Sequence, residues 1–195
     1  MCLGADVSRG VNQKPFDGKL DYDYIMWIDS DILFTPDQFA RLLSHDKEIV
    51  AGLYLMQGGS AYAAVLEWDE DYFAKHGHFR FLTPGDPATN PQSGSGHPGS
   101  EDEPHGSDGS ANSQSRTRNP QLLSVAYCGM GFMLVKYGVF EGMEYPWFRP
   151  MQKRIGDMVD FTMEDVGFCL RAREMGYRVL ADLGVKVRHE KCRVL

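Results

Sequence analysis

Tyr24-Ile25-Met26-Trp27-Ile28-Asp29-Ser30-Asp31 reads as a buried β-strand that ends in two acidic residues separated by a single serine. In an open α/β sheet, ligands bind in the crevice beyond the carboxyl ends of the strands. Two carboxylates held there repel each other unless something cationic sits beside them. A divalent metal is the simplest such partner, and an oxygen-rich site suits Mn²⁺ or Mg²⁺. A metal at a strand end is in turn a natural clamp for a diphosphate. The competing reading is a turn that uses Asp for local backbone hydrogen bonds.

Outward from this strand the chain alternates. Thr35-Pro36 starts a helix with Pro at its first position, and Phe39, Leu42 and Leu43 supply its apolar face. Glu48 to Leu55 and Ala61 to Trp68 read as strands, Asp69 to His76 as a short helix, and His78 to Leu82 as a short strand. Gln121 to Tyr127 and Phe132 to Lys136 are strands flanking Cys128-Gly129-Met130-Gly131. Met163 to Met175 is the strongest helix, with Thr162 as cap, Asp165 completing a capping box and Gly176 as the stop. Its core face is expected to carry Val166, Cys169, Leu170 and Met175. A last strand or two run through Val179 and Val185-Lys186-Val187. Alternation of this kind implies an α/β domain with a mixed sheet.

At 195 residues the chain fits a single domain, 1–195, with enough length to bury a core. Pro84 to Pro120 interrupts it: six of the ten prolines fall there, with many Gly, Ser and Asn. Such a segment buries too little surface to offset its ordering entropy, so 84–120 reads as a disordered low-complexity insertion. The net charge of −7 argues against nucleic acid as a partner, which normally calls for a basic stripe. Cys2, Cys128, Cys169 and Cys192 are isolated, as free thiols of a reducing compartment are. No apolar run reaches transmembrane length and Met1 to Asp6 lacks the regions of a secretory signal, so a cytoplasmic protein is expected.

Further groups could carry chemistry. Glu164 and Asp165 are favoured at a helix N-terminus by capping and the dipole; next to apolar residues, a carboxylate there can also be a general base. His189 follows a terminal apolar strand, and imidazole joins carboxylates around Mn²⁺-like ions, although single histidines are often plain surface residues. Gly129 and Gly131 permit close backbone approach to a sugar or phosphate, or else form a bulge. Trp147, in Tyr145-Pro146-Trp147-Phe148-Arg149-Pro150, could stack on a sugar or fill the core.

Taken in order, a strand ending in Asp29-Ser30-Asp31, one ending in Gly52-Leu53-Tyr54, the Gly129-Met130-Gly131-Phe132 turn, Glu164-Asp165 opening a helix, and a late His189 resemble a GT-A fold glycosyltransferase of the family 2-like kind. The resemblance spans most of Tyr22 to Lys191 outside the insertion. It implies a mixed, mostly parallel sheet flanked by helices, and transfer of a sugar from a nucleotide-diphosphate donor to a glycan or other hydroxyl acceptor. It also implies roles: Asp31 and His189 as ligands of Mn²⁺ or Mg²⁺, Asp29 on the metal or the ribose, and Asp165 as the base. Glu164 would hold the acceptor, Trp147 would be a sugar-side or acceptor-side aromatic, and Gly129 and Gly131 would approach substrate. A single base opposite the leaving group implies inversion. Met1 to Val11 contains no apolar strand to grip a nucleotide base, so the resemblance is to a member shortened at its N-terminus, without its first strand region.

Two other functions compete. A haloacid-dehalogenase-type phosphatase also has an apolar strand ending in Asp-x-Asp, and Gly156-Asp157-Met158-Val159-Asp160 resembles its later acidic motif. Leu33, however, stands where that class has Thr or Val. A non-catalytic remnant that binds sugar or nucleotide on the transferase scaffold is the other.

Overall fold

The Tyr24 strand forms as β1 (Tyr24–Ile28), but at the edge of its sheet and only half-buried. The computed structural model describes residues 6–89 and 121–190. Along the chain, β2 (Ile32–Leu33), α1 (Pro36–Ser44), β3 (Ile49–Leu53), β4 (Ala64–Val65) and α2 (Glu70–His76) follow β1. After them come β5 (Leu122–Ser124), β6 (Tyr127–Cys128), β7 (Phe132–Lys136), α3 (Val139–Gly142), β8 (Gln152–Ile155) and β9 (Met158–Phe161). The described chain closes with α4 (Glu164–Glu174), β10 (Val179–Lys186) and β11 (Arg188–His189).

The central sheet has five strands in the order β1-β7-β3-β10-β5. The domain is therefore mixed α/β, as expected, but its sheet is mostly antiparallel rather than mostly parallel. Only β3 and β10 run parallel, whereas β1–β7, β7–β3 and β10–β5 are antiparallel. The physical reason is burial on both faces. Continuous apolar runs such as Ile49–Leu53 and residues 132–135 are usual in parallel sheets because helices cover both sides. Here both sides are also covered. Ile49, Ala51, Met133, Val135 and Ala181 pack on one face with Phe140, Phe168 and Ala172 from α3 and α4. Val50, Phe132, Leu134 and Leu180 pack on the other, with Phe39 and Leu42 of α1. Strand direction leaves no mark on such sequences.

Local signals at α1 and α2 hold well. Thr35 precedes α1, its N–H donating to Gln38 Oε1 at 2.8 Å, and Pro36 opens the helix. Asp69 caps α2 by accepting the Tyr72 N–H at 2.8 Å, and Gly77 ends it in the left-handed conformation. Other boundaries shift. Ala61 to Trp68 shortens to β4, and His78 to Leu82 contributes an isolated bridge from Phe81 to Val65 rather than a strand. In α4, Met163 occupies the cap position without a side-chain hydrogen bond, because Thr162 Oγ1 accepts the Met151 N–H at 2.9 Å instead. Met175 is exposed, and Phe168 takes the core position.

The segment expected to be disordered from Pro84 begins with an ordered turn. Thr83 Oγ1 donates to Asp86 Oδ2 at 2.9 Å, buried Thr89 donates its hydroxyl to Thr83 O at 2.6 Å, and Lys186 Nζ donates to Thr89 O at 3.1 Å. Residues 90–120 of that segment lie outside the described residues, as do Cys2 and Cys192. Among the described residues, no helix is long and apolar enough to cross a membrane.

Helix α1 is tied to the sheet by a buried ion cluster. Asp182 in β10 is fully buried and accepts from Arg41 Nε at 2.7 Å, Arg41 Nη2 at 3.1 Å and the Gly184 N–H at 2.8 Å. His45 Nε2 lies 2.6 Å from the same carboxylate. Arg41 is more than a third exposed, and His45 and the Gly184 N–H stay on Asp182 when it is removed. We therefore expect Arg41→Met to destabilise the fold by about 1–2 kcal/mol in urea titrations, through loss of its hydrogen bonds to a buried carboxylate.

Candidate functional site

Beyond the carboxyl end of β1 the chain turns through Asp29-Ser30-Asp31, with the Ile32 N–H donating to Asp29 O at 3.0 Å. The two acidic side chains part here. Asp29 extends the β1–β7 pairing, its N–H donating to Gly131 O at 3.0 Å, and its side chain enters a pocket of about 520 Å³. The pocket is bounded by Trp27 and Asp29 of the β1 end, Tyr54 after β3, Met130 and Gly131 before β7, Phe148, and Glu164 and Asp165 at the start of α4. Gly131 is obligatory: a Cβ there would sit 2.8 Å from Asp29 Oδ2 and 2.9 Å from Tyr54 Cζ. Its N–H donates to the Tyr54 hydroxyl at 3.2 Å. Burial raises the Tyr54 phenol to about 12, so it is neutral in the physiological range.

Asp31 instead meets His189. Antiparallel pairing of β2 with β11 sets Ile32 opposite His189, and the Glu190 N–H donates to Asp31 O at 2.7 Å. His189 Nε2 thereby lies 2.9 Å from Asp31 Oδ2, while Nδ1 lies 3.2 Å from Leu55 O. A carbonyl oxygen only accepts, so a hydrogen bond there assigns the proton to Nδ1. In the other tautomer Nε2–H donates to Asp31 instead, so which nitrogen carries the proton is a matter of assignment. The Nδ1–H tautomer leaves Nε2 open to a cation, as metal-ligating histidines typically donate their other N–H to a carbonyl. Among the described residues, no group of three His, Cys, Asp or Glu side chains converges as metal ligands. Asp31 and His189 come together, and Asp29 stands apart from them.

Across the pocket, Asp165 lies at the first turn of α4, half-buried. Burial raises its carboxyl above the ordinary 3.8; the Val166 N–H, donating to Oδ1 at 2.7 Å, opposes the rise, and the charges of Glu164 and Asp29 add to it. A carboxylate shifted upward in an apolar pocket is a stronger base than a solvated one. Glu164 is exposed at the pocket mouth.

Two expected substrate contacts move elsewhere. Trp147 is 2 % exposed and donates Nε1–H to Met143 O at 3.1 Å; its ring packs against Phe140 and Tyr145 in the core and offers no face to a ligand. The neighbouring Phe148 lines the pocket instead, stacked edge-on with Trp27 at 5.0 Å. Gly129 serves packing: a Cβ there would lie 2.0 Å from the Tyr54 hydroxyl, and its N–H donates to Ala63 O. Of the residues not foreseen, Trp27 was detectable, since it is two positions before Asp29 on the same strand face. Tyr54 and Phe148 carried no such signal.

The aromatic loop is held against α4 at Gly167, where a Cβ would come within 2.4 Å of Arg149 O. Asp157 and Asp160 fall at the exposed β8–β9 hairpin, and neither lines the pocket that holds Asp29. Cys128 and Cys169 are buried free thiols; the Cys169 hydrogen bond and burial push the Cys128 thiol upward, which makes it inert.

No family model matches the chain, and no curated protein matches it. Among solved structures, the A197 protein from STIV aligns over 89 % of this chain and 69 % of that one, at 15 % identity and a TM-score of 0.40. That likeness is too slight to decide fold family or function.

The raised Asp165 carboxyl has a stability consequence. Its ionised form is disfavoured in the folded state, so the cost is absent below the ordinary value of 3.8 and complete above the raised native value. Asp165→Asn keeps an acceptor for the Val166 N–H and removes the cost. The expected result is a higher Tm than the parent at neutral pH, with the gain shrinking as pH falls toward 3.8 in thermal denaturation scans.

Proposed function

We propose that the chain is a GT-A-like, metal-dependent glycosyltransferase that inverts the anomeric centre of a nucleotide-diphosphate sugar. The observation that carries this reading is the division of labour around one pocket. Asp31 and His189, 2.9 Å apart, form a carboxylate–imidazole pair on one side of the β1 end. Asp29 and the burial-shifted Asp165 face each other's charge within the pocket on the other side.

In this reading Asp31 and His189 hold Mn²⁺ or Mg²⁺, and Asp29, in the pocket apart from them, contacts the donor's ribose. When bound, the cation supplies positive charge for the departing diphosphate. The acceptor hydroxyl oxygen bonds to the anomeric carbon as the bond from that carbon to the diphosphate oxygen breaks. Asp165 takes the hydroxyl proton, and Glu164 at the pocket mouth accepts a hydrogen bond from the acceptor. Trp27 and Phe148 form an apolar wall that excludes water from the reacting atoms. The position of Asp157 and Asp160 outside this pocket favours transfer over the phosphatase alternative.

Calorimetric titration with UDP and Mn²⁺ tests the reading. Metal-dependent binding is expected, weakened about tenfold or more by Asp31→Ala and by His189→Ala. Unchanged affinity in both variants would remove the metal pair, and phosphatase activity that survives Asp31→Ala but not Asp29→Ala would replace transfer altogether. Asp165→Asn is expected to abolish transfer, by at least about 100-fold, while leaving nucleotide affinity as in the parent. Simultaneous loss of both would reassign Asp165 to folding.

A further inference from the structure

A second concavity adjoins the first. Thr162, Met163 and Val166, which flank Glu164 and Asp165 in the chain, line a groove of about 190 Å³ between α2 and the β8–β9 hairpin. Met163 lines both cavities, so the two meet at a residue two positions before the proposed base. Its floor is aromatic: Trp68 and Phe79 lie 4.2 Å apart with Tyr127 beside them. Its rim is apolar and open, with Phe161 64 % and Met163 67 % exposed. Exposed apolar side chains clustered around a concavity mark a binding surface more often than chance placement does.

Charge narrows the occupant. Lys153, with Nζ 5.9 Å from the Trp68 ring centre, and Asp160 are the charged groups that line the groove, one of each sign. A diphosphate would find no cationic surplus there, and a fully hydroxylated sugar would leave its polar groups unmatched against carbon. The volume lies below the roughly 300 Å³ at which sites for drug-sized ligands begin, and suits one flat ring system.

We propose that this groove binds an apolar ring of the acceptor, so that the acceptor is an aromatic alcohol or an aryl-bearing glycoside rather than a wholly hydrophilic glycan. The proposal rests on the transferase reading for the term acceptor, but the groove's ligand chemistry can be tested apart from it. The ring lies over Trp68 and against Phe161, and its hydroxyl reaches past Met163 toward Asp165.

The test uses 4-methylumbelliferone, a flat phenol, titrated into the full chain and followed by fluorescence anisotropy. Saturable binding is expected, weakened at least about five-fold by Phe161→Ser, an exposed position that the fold tolerates, and likewise by Trp68→Ala. UDP–Mn²⁺ affinity should be the same in Phe161→Ser as in the parent. Absence of binding to the parent, or equal affinity in both variants, overturns the groove proposal whatever UDP does. Phenol binding without any UDP–Mn²⁺ binding sustains the aryl site and removes the transferase reading. A concentration-dependent dimer in sedimentation that Phe161→Ser dissolves would assign the groove to a second copy of the chain and overturn the proposal.

Discussion

The register of β7 between β1 and β3 is the constraint from which the site follows. Met133 lies opposite Trp27 on one side and Ala51 on the other, both pairings antiparallel. This places the end of β1, the end of β3 and the start of β7 at one edge of the sheet. Asp29, Tyr54 and Gly131 therefore converge there, close enough that Gly131 has no room for a side chain. Slipping β7 by one residue would turn its core side chains to the opposite face and replace Gly131 with a residue that has a Cβ. The core and the pocket are thus specified by the same ladder.

The second constraint is the short β2–β11 pairing, which works at a distance in sequence that no local signal spans. Two residue pairs suffice to set His189 against Asp31. Such a small ladder adds little stability by itself. It is supported by Val187 and Ile32, both buried beneath it in the α1-side core. The buried Asp182 cluster anchors the middle of β10, so the strand leading to His189 is tied to α1 as well as to its sheet neighbours. Rigid support of this kind is what a two-residue ligand pair needs in order to present a defined geometry.

The two cavities share Met163 and straddle the start of α4. One is lined by acidic groups and aromatics, the other by aromatics with balanced charge. Asp165 lines the first of them, and its partial burial there raises its carboxyl above the ordinary value. Base strength and ligand access then derive from the same packing, since a helix start exposed to water would have left that carboxyl at its ordinary value.

Local chemistry was legible in the residues themselves. The strand ending in Asp29-Ser30-Asp31, the Thr35-Pro36 helix start, the Asp69 cap and the Gly77 stop all follow from backbone sterics and short-range hydrogen bonding, which act within a few residues. Glu164 and Asp165 at a helix start and His189 beyond a strand were visible as types at positions, and Asp31 with His189 indeed come together. What the chain could not disclose was long-range. Strand direction was hidden because two-sided burial erases alternation, and the choice between Trp147 and Phe148 was hidden because loop geometry decides which of two adjacent aromatics faces the pocket. Thr162 abandoned its cap for Met151 through a contact eleven residues away. The sequence by itself determined the elements and the chemical groups; tertiary structure alone decided which groups meet, because pairing and packing join residues whose separation along the chain leaves no periodic trace.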